Sequence, residues 1–230
     1  MKRKAKLSIV APVYNKAAWI AETIKSLEEQ SMEDIEILFI DDGSTDDTVE
    51  VIRHYQKFDK RIRLHRLRKN QGLSKAWNKG ISLAKTPIIL VASGDDIFHK
   101  DRAKITYNYF KNYPDTDVFY GSFWFCDYKM HLLEYKGAMP YNKKKLLTPR
   151  EDGRCPQYIG HLTMAYKTKI AKRIPHRKNL RVGIDYPLLV DFAKADLKFG
   201  YTKKTLAWAR ILNTGVSLSR RAEVEKASKI

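Results

Sequence analysis

Four short apolar runs punctuate the first hundred residues: LSIVAPV from Leu7, IEILFID from Ile35, IRLHRL from Ile62 and PIILVAS from Pro87. Between them, apolar positions recur at intervals of three and four. Trp19, Ile20, Ile24 and Leu27 do so in the first stretch, Val49, Ile52 and Tyr55 in the second, and Ala76, Trp77, Ile81 and Leu83 in the third. Runs rich in Val and Ile suit strands, and a 3.6-residue period suits helices with one face against a sheet. The alternation predicts an α/β fold with a mostly parallel sheet and right-handed crossovers. Ligand-binding groups are then expected at the carboxyl ends of the strands.

After a fourth helix at about residues 99–113, the pattern changes. DVFYGSFWFCDYKMHLLEY reads as strands joined by a hairpin, so antiparallel strands are expected to join the sheet. A basic connection, NKKKLLTPREDGR, precedes an expected strand HLTMAY, a helix containing IDYPLLVDFAKA and a strand TLAWARIL. No composition break, internal repeat or low-complexity segment interrupts the chain. Its 230 residues, 43% of them apolar, suit one compact domain over 1–230, with halves at about 1–100 and 101–230 sharing one sheet.

The start, MKRKAKLSIVAPVYN, is basic but its apolar stretch is too short for a signal peptide, and no window holds about 18 consecutive apolar residues. Cys126 and Cys155 lack metal-ligand or redox spacing, which fits a reducing, cytoplasmic setting. The net charge of +18 is unevenly spread: residues 1–100 hold 18 Lys/Arg against 14 Asp/Glu, and residues 101–230 hold 26 against 12. An anionic partner is expected on the second half, whether DNA, an acidic glycan or membrane headgroups. The alternative is a solvated basic face that aids solubility.

The ends of the strands carry the candidate chemistry. The first ends in Pro12-Val13-Tyr14-Asn15, the second in Asp41-Asp42-Gly43-Ser44-Thr45-Asp46-Asp47, and the fourth in Ser93-Gly94-Asp95-Asp96. Neither G-x-G-x-x-G nor G-x-x-x-x-G-K-[ST] is present, so neither a dinucleotide fingerprint nor a P-loop holds the ligand. Aspartates at these ends suit hydroxyl and amide donors of a nucleoside, or a hard divalent cation bridging to phosphate. DGSTDDT also suits a turn and helix cap, which is the competing role for Asp41, Ser44, Asp46 and Asp47.

APVYN, IDDGSTDDT, NQGLSKAWNKGI and SGDD, in this order and spacing, resemble the family 2 glycosyltransferases. The likeness is strong over about residues 6–100 and weak beyond. It implies the GT-A fold, a Rossmann-like mostly parallel central sheet with antiparallel additions. It also implies a metal-dependent, inverting transfer from a nucleotide-diphosphate sugar, usually a UDP-sugar, and casts the first half as the donor-binding part and the second as the acceptor part. Pro12 and Tyr14 would line the nucleobase pocket, and Asp42 would bond the base or ribose. Asp95 would sit near the ribose and phosphates, and Asp96 would bind Mg²⁺ or Mn²⁺. Asn70, Gly72 and Lys75 fall in a loop that closes over the nucleotide.

Inverting transfer needs one general base on the acceptor hydroxyl. The resemblance assigns it to Asp185 in VGIDYPLLVDF, where relatives often read Glu-Asp; an ordinary acidic residue at a helix start is the competing role. The chain departs from common patterns elsewhere. Trp77 replaces an Arg, Ser93 replaces a third Asp, and Arg210 and Asn213 stand where relatives carry a late metal-binding His. Arg210, Ser217 or lysines are candidates for holding the diphosphate, and His161 is expected to be packed or solvent-facing.

The acceptor is expected to be a hydroxyl on a glycan or lipid-linked glycan, the protein being cytoplasmic or peripheral to a membrane. Basic residues interleaved with Tyr135, Tyr141, Tyr158 and Tyr166 raise an alternative, transfer to a hydroxylated base in DNA. A non-catalytic nucleotide-sugar-binding module is a further alternative, one in which Asp185 would be dispensable.

Overall fold

The computed structural model describes residues 4–148, 159–178, 180 and 183–212. The first half alternates as its pattern predicts: β1 (Leu7–Val13), α1 (Ile20–Glu28), β2 (Ile35–Asp41), α2 (Thr48–Gln56), β3 (Ile62–Arg66), α3 (Leu73–Leu83) and β4 (Ile88–Val91). β1 is parallel to both β2 and β4, and β2 is parallel to β3. The order β3-β2-β1-β4 means that the chain winds outward from β1, then returns past it. The sheet therefore reverses its winding between β1 and β4, and a crevice opens at the carboxyl ends of strands at such a reversal.

β1, β2 and β4 are buried along their whole length because helices cover both faces. Leu7, Ile9 and Ala11 of β1 meet Ile24 of α1 and Ile52 of α2 in one core layer, while Val10 meets Trp77 and Ile81 of α3 in the other. α3 lies close on the sheet: a Cβ on Gly80 would fall 2.4 Å from Val10 Cγ1. Only glycine permits that approach.

The second half extends the same sheet. After β5 (Ile97–Phe98) and α4 (Arg102–Asn112), β6 (Val118–Cys126) and β7 (Leu132–Lys136) form the expected antiparallel hairpin. β8 (Ala165–Lys167) lies antiparallel between β4 and β6, and β9 (Phe199–Arg210) runs parallel to β6 and antiparallel to β5. The helices α5 (Lys143–Leu147), α6 (Thr168–Arg173) and α7 (Asp185–Lys194) complete the described elements. Mixed pairing in this half and parallel pairing in the first agree with the expected sheet.

Two boundaries and two short helices differ from the pattern. HLTMAY is not one strand: His161–Thr163 forms a 3₁₀ turn before β8. Thr163 closes that turn through both its amide and its hydroxyl, which donate to the Gly160 carbonyl. β9 begins at Phe199, six residues before TLAWARIL, because the exposed KK pair at Lys203 and Lys204 interrupts its apolar signal. α5 and α6 escape the pattern because five- and six-residue helices hold too few turns to show a period. Among the described residues, no helix is long and apolar enough to cross a membrane.

Candidate active site

Two connected cavities occupy the crevice at the β1–β4 reversal. The smaller, about 280 Å³, is lined by Pro12, Tyr14, Lys16, Asp42, Asn70 and Gly72 among others. The larger, about 330 Å³, includes Asp95, Asp96, His161, Asp185 and Arg210 in its wall. Pro12 and Leu73 line both, so the two form one trough across the end of β1.

The wall of the smaller cavity is built from backbone. Asp42 follows β2 and is nearly buried; its two carboxylate oxygens accept from the amides of Gln71 and Gly72, each at 2.8 Å. The loop before α3 is thus pinned to the end of β2. Gly43, at φ +76°, permits this fit, because a Cβ there would fall 2.7 Å from the Lys69 carbonyl carbon and 2.8 Å from the Asn70 nitrogen. The neighbouring polar residues tie the loop after β1 to the loop after β2. Asn15 N–H donates to Ser44 Oγ, Lys16 N–H to Thr48 Oγ1 and Ala17 N–H to Asp46 Oδ2. Ser44 and Asp46 therefore act in turns, as the competing reading of DGSTDDT has it, and Asp41 is buried against Arg66 and the Ser44 amide.

In the larger cavity the two adjacent carboxylates have different surroundings. Asp95 is paired with Lys16 Nζ at 2.6 Å. Asp96 is 9% exposed and accepts from Ser93 Oγ at 2.6 Å and from the Arg210 amide at 3.0 Å. Its burial, reinforced by the like charge of Asp95, pushes its carboxyl up to about 7 despite those two donors. Arg210 is not free to hold a ligand through its guanidinium. It donates to Asp95 O, Tyr128 O and Glu22 Oε2, and it stacks 4.6 Å from the Trp19 ring. Asn213, Ser217 and Tyr158 lie outside the described residues.

Asp185 is the first residue of α7, where the helix dipole favours a carboxylate, and its side chain keeps 39% exposure. His161 Nδ1 lies 3.5 Å from its Oδ1. The His161 ring meets the edge of Trp77 at 5.2 Å, and Trp77 in turn stacks on His176 at 5.4 Å. His176 is almost fully buried, so desolvation holds its ring far below the usual imidazole range and keeps it neutral. Trp77, in the place of an Arg, thus supplies an aromatic wall rather than a charge.

Of the expected site residues, Pro12, Tyr14, Asp42 and Asn70 gather at the smaller cavity, and Asp95, Asp96 and Asp185 at the larger. Lys75 joins neither. It points outward from α3 and lines a separate basic concavity with Arg68, Lys69, Lys79 and Lys178. His161 is packed, one of its two expected placements, although it also lines the larger cavity. Two contributors escape the sequence reading: Lys16 carries no local signal of its role, and Arg102 reads as an ordinary exposed helix start in HKDRAK. Arg102 is instead 1% exposed, and its Nη2 donates to Val91 O at 2.6 Å and Leu162 O at 2.5 Å. It braces the end of β4 against the His161 turn.

Among the described residues, no group of three or more His, Cys, Asp or Glu side chains is arranged to hold a metal ion. Asp95 and Asp96 are nevertheless adjacent like charges, and the Asp96 carboxylate offers the hard oxygen donors that a divalent cation would take.

Comparison with known proteins bears on the family and the fold. The chain is similar to an uncharacterized glycosyltransferase of Methanocaldococcus jannaschii, with 27% identity over 227 residues, covering 94% of this chain and 74% of that protein. The fold superposes on S. aureus TarS residues 1–349, solved with UDP-GlcNAc, at a TM-score of 0.73 with 19% identity, covering 93% of this chain and 61% of that one. It also superposes on mannosyltransferase PcManGT from Pyrobaculum calidifontis, solved with GDP-Man and Mn²⁺, at a TM-score of 0.71 with 14% identity, covering 100% and 66%. The fold is GT-A. The chain spans as little as 16% of the length of the curated relatives it matches. The model of Glycosyl transferase family 2 matches residues 8–174, and the chain belongs to that family.

Proposed function

We propose that this chain transfers a sugar from a nucleoside-diphosphate donor, UDP-linked, to an acceptor hydroxyl on a glycan or lipid-linked glycan, with inversion at the anomeric carbon. The observation that carries the reading is the continuous trough. A nucleoside-sized cavity with backbone and amide groups opens into a second cavity whose walls bear the Asp95–Asp96 pair and a separate, half-buried Asp185. Pro12, Tyr14, Asp42 and Asn70 bind the nucleoside, and Asp95 faces the ribose and phosphates.

Asp185 is the base. The acceptor oxygen attacks the anomeric carbon from the face opposite the diphosphate, the bond to the diphosphate oxygen breaks, and the acceptor proton passes to the Asp185 carboxylate. Trp77 and His161 pack against one side of the larger cavity and limit where the sugar can lie. Asp96 would hold Mg²⁺ or Mn²⁺, which supplies Lewis-acid stabilisation of the leaving diphosphate when bound. Lys75, from its outward position, takes part only through the loop it follows.

The test is transfer from a panel of UDP- and GDP-sugars, with Mg²⁺ or Mn²⁺, to a glycan mixture and to hydroxymethylated DNA. The product anomer is read by NMR. Asp185→Asn is expected to lower transfer by about 10²-fold or more while nucleotide binding persists. Full transfer by that variant removes the base assignment. A retained anomeric configuration removes inversion, and transfer to DNA alone moves the acceptor to a hydroxylated base.

A further inference from the structure

Five of the large exposed apolar side chains, Tyr128, Leu132, Leu133, Tyr135 and Met139, lie within residues 128–139. Elsewhere among the described residues such side chains occur only at Tyr14, Phe58 and Tyr113. The cluster follows the β6–β7 hairpin. The pairing skips Leu133, between Phe125 opposite Glu134 and Cys126 opposite Leu132, and this bulge leaves both leucines exposed, at 55% and 44%.

The cluster continues across the sheet. Tyr135 stands opposite Trp124, Trp124 opposite Trp208, and Trp208 opposite Ile97. The Trp124 and Tyr135 rings are 5.1 Å apart. Phe123, Phe125, Ala207 and Ala209 alternate with this row and bury themselves in the core on the opposite face. The row itself stays half-buried or exposed.

Its rim is basic. Lys129 Nζ lies 5.5 Å from the Tyr128 ring centre, and the Tyr135 hydroxyl donates to the carbonyl of exposed Lys203 at 3.3 Å. The acids of the window are already paired, Asp127 with His131 and Glu134 with Lys136. Exposed aliphatic tips, a Trp/Tyr row and a lysine rim match a bilayer surface, where rings sit at headgroup level and lysines meet anionic lipid. A sugar chain would use the rings and leave Leu132, Leu133 and Met139 in water.

We propose that this hairpin face docks on an anionic lipid bilayer. Leu132 and Leu133 enter the boundary between headgroups and acyl chains, and Lys129 and Lys203 meet the headgroups. Arg210, in the wall of the larger cavity, donates to the Tyr128 carbonyl at the hairpin's tip, so docking brings that cavity's mouth to the membrane. The docking itself does not depend on the transferase reading.

Co-sedimentation with vesicles of phosphatidylglycerol and phosphatidylcholine, against pure phosphatidylcholine, tests it. The chain is expected to partition onto the anionic vesicles. Leu132→Ser with Leu133→Ser weakens partition by at least about tenfold. Lys129→Gln and Lys203→Gln each weaken it about fivefold, on anionic vesicles only. The variants keep the wild-type circular dichroism and, in solution, the wild-type rate of nucleotide release, so failure of docking and failure of the transferase reading stay distinct. Absence of vesicle binding, or equal binding by the leucine variant, overturns the proposal. So does a dimer that the leucine variant dissolves, which assigns the face to a second copy. An oligosaccharide that shifts tryptophan emission without vesicle binding assigns it to a glycan.

Discussion

Asp96 is the residue in which burial and charge conflict most. Its carboxyl, normally near 3.8, sits at about 7 because it is buried and Asp95 adjoins it. The folded chain therefore holds this proton more tightly than the unfolded chain does, and the group destabilises the fold increasingly as pH rises from about 4 to about 7. Asp96→Asn removes that cost and keeps groups able to bond Ser93 and the Arg210 amide. In the absence of divalent cations, the variant is expected to melt like the wild type near pH 3 and at a temperature increasingly above it as pH rises to 8. A melting difference that does not change with pH sinks the account. The position of Asp96 is legible in sequence, since SGDD ends an apolar run and so must stand at a strand end. Its protonation is not, because that follows from burial that only the folded chain supplies, with the end of β9 brought against it at Arg210. Asp42 divides in the same way: its place follows from IEILFIDD, but its grip on the Gln71 and Gly72 amides does not.

At the scale of elements, periodicity carries as far as the helices are long. The α/β alternation through β4 reads directly from apolar spacing, because β1, β2 and β4 are sandwiched and each helix buries one face. The second half reads less well. β8 has three residues and β5 two, lengths at which burial leaves no alternation to detect. The loop at 69–72 illustrates an element defined by contacts rather than pattern, held by Asp42 and admitted by Gly43. Gly43→Ala forces a side chain into a positive φ and against the Lys69 and Asn70 backbone. It is expected to cost about 2 kcal/mol or more in denaturant unfolding. On the proposed function, UDP affinity should fall on the order of tenfold in calorimetric titration, as the wall of the smaller cavity moves. A stable variant with unchanged affinity would detach the loop from nucleotide binding.

At the scale of the whole molecule, the trough belongs to neither half. Its smaller cavity rests on β1, β2 and the loop before α3, while its larger one needs the His161 turn, α7 and β9. The halves meet at the β4–β8 pairing, where Ile88, Ile89 and Leu90 face Lys167, Tyr166 and Ala165. Both core layers also cross that seam. Leu90 and Phe119 share one, and Ile89 and Tyr166 share the other. A chain cored this way has no interface at which one half can melt alone. Unfolding is therefore expected as one transition, followed alike by calorimetry and by tryptophan emission. A nucleotide bound at one end should then protect the whole. At a hundred times its dissociation constant, UDP contributes about 2.7 kcal/mol, which for a chain of this size raises the melting temperature by about 5–10 °C. Two separated transitions, with only the first moved by nucleotide, would mean that the donor-binding half folds independently and that the acceptor half merely leans on it.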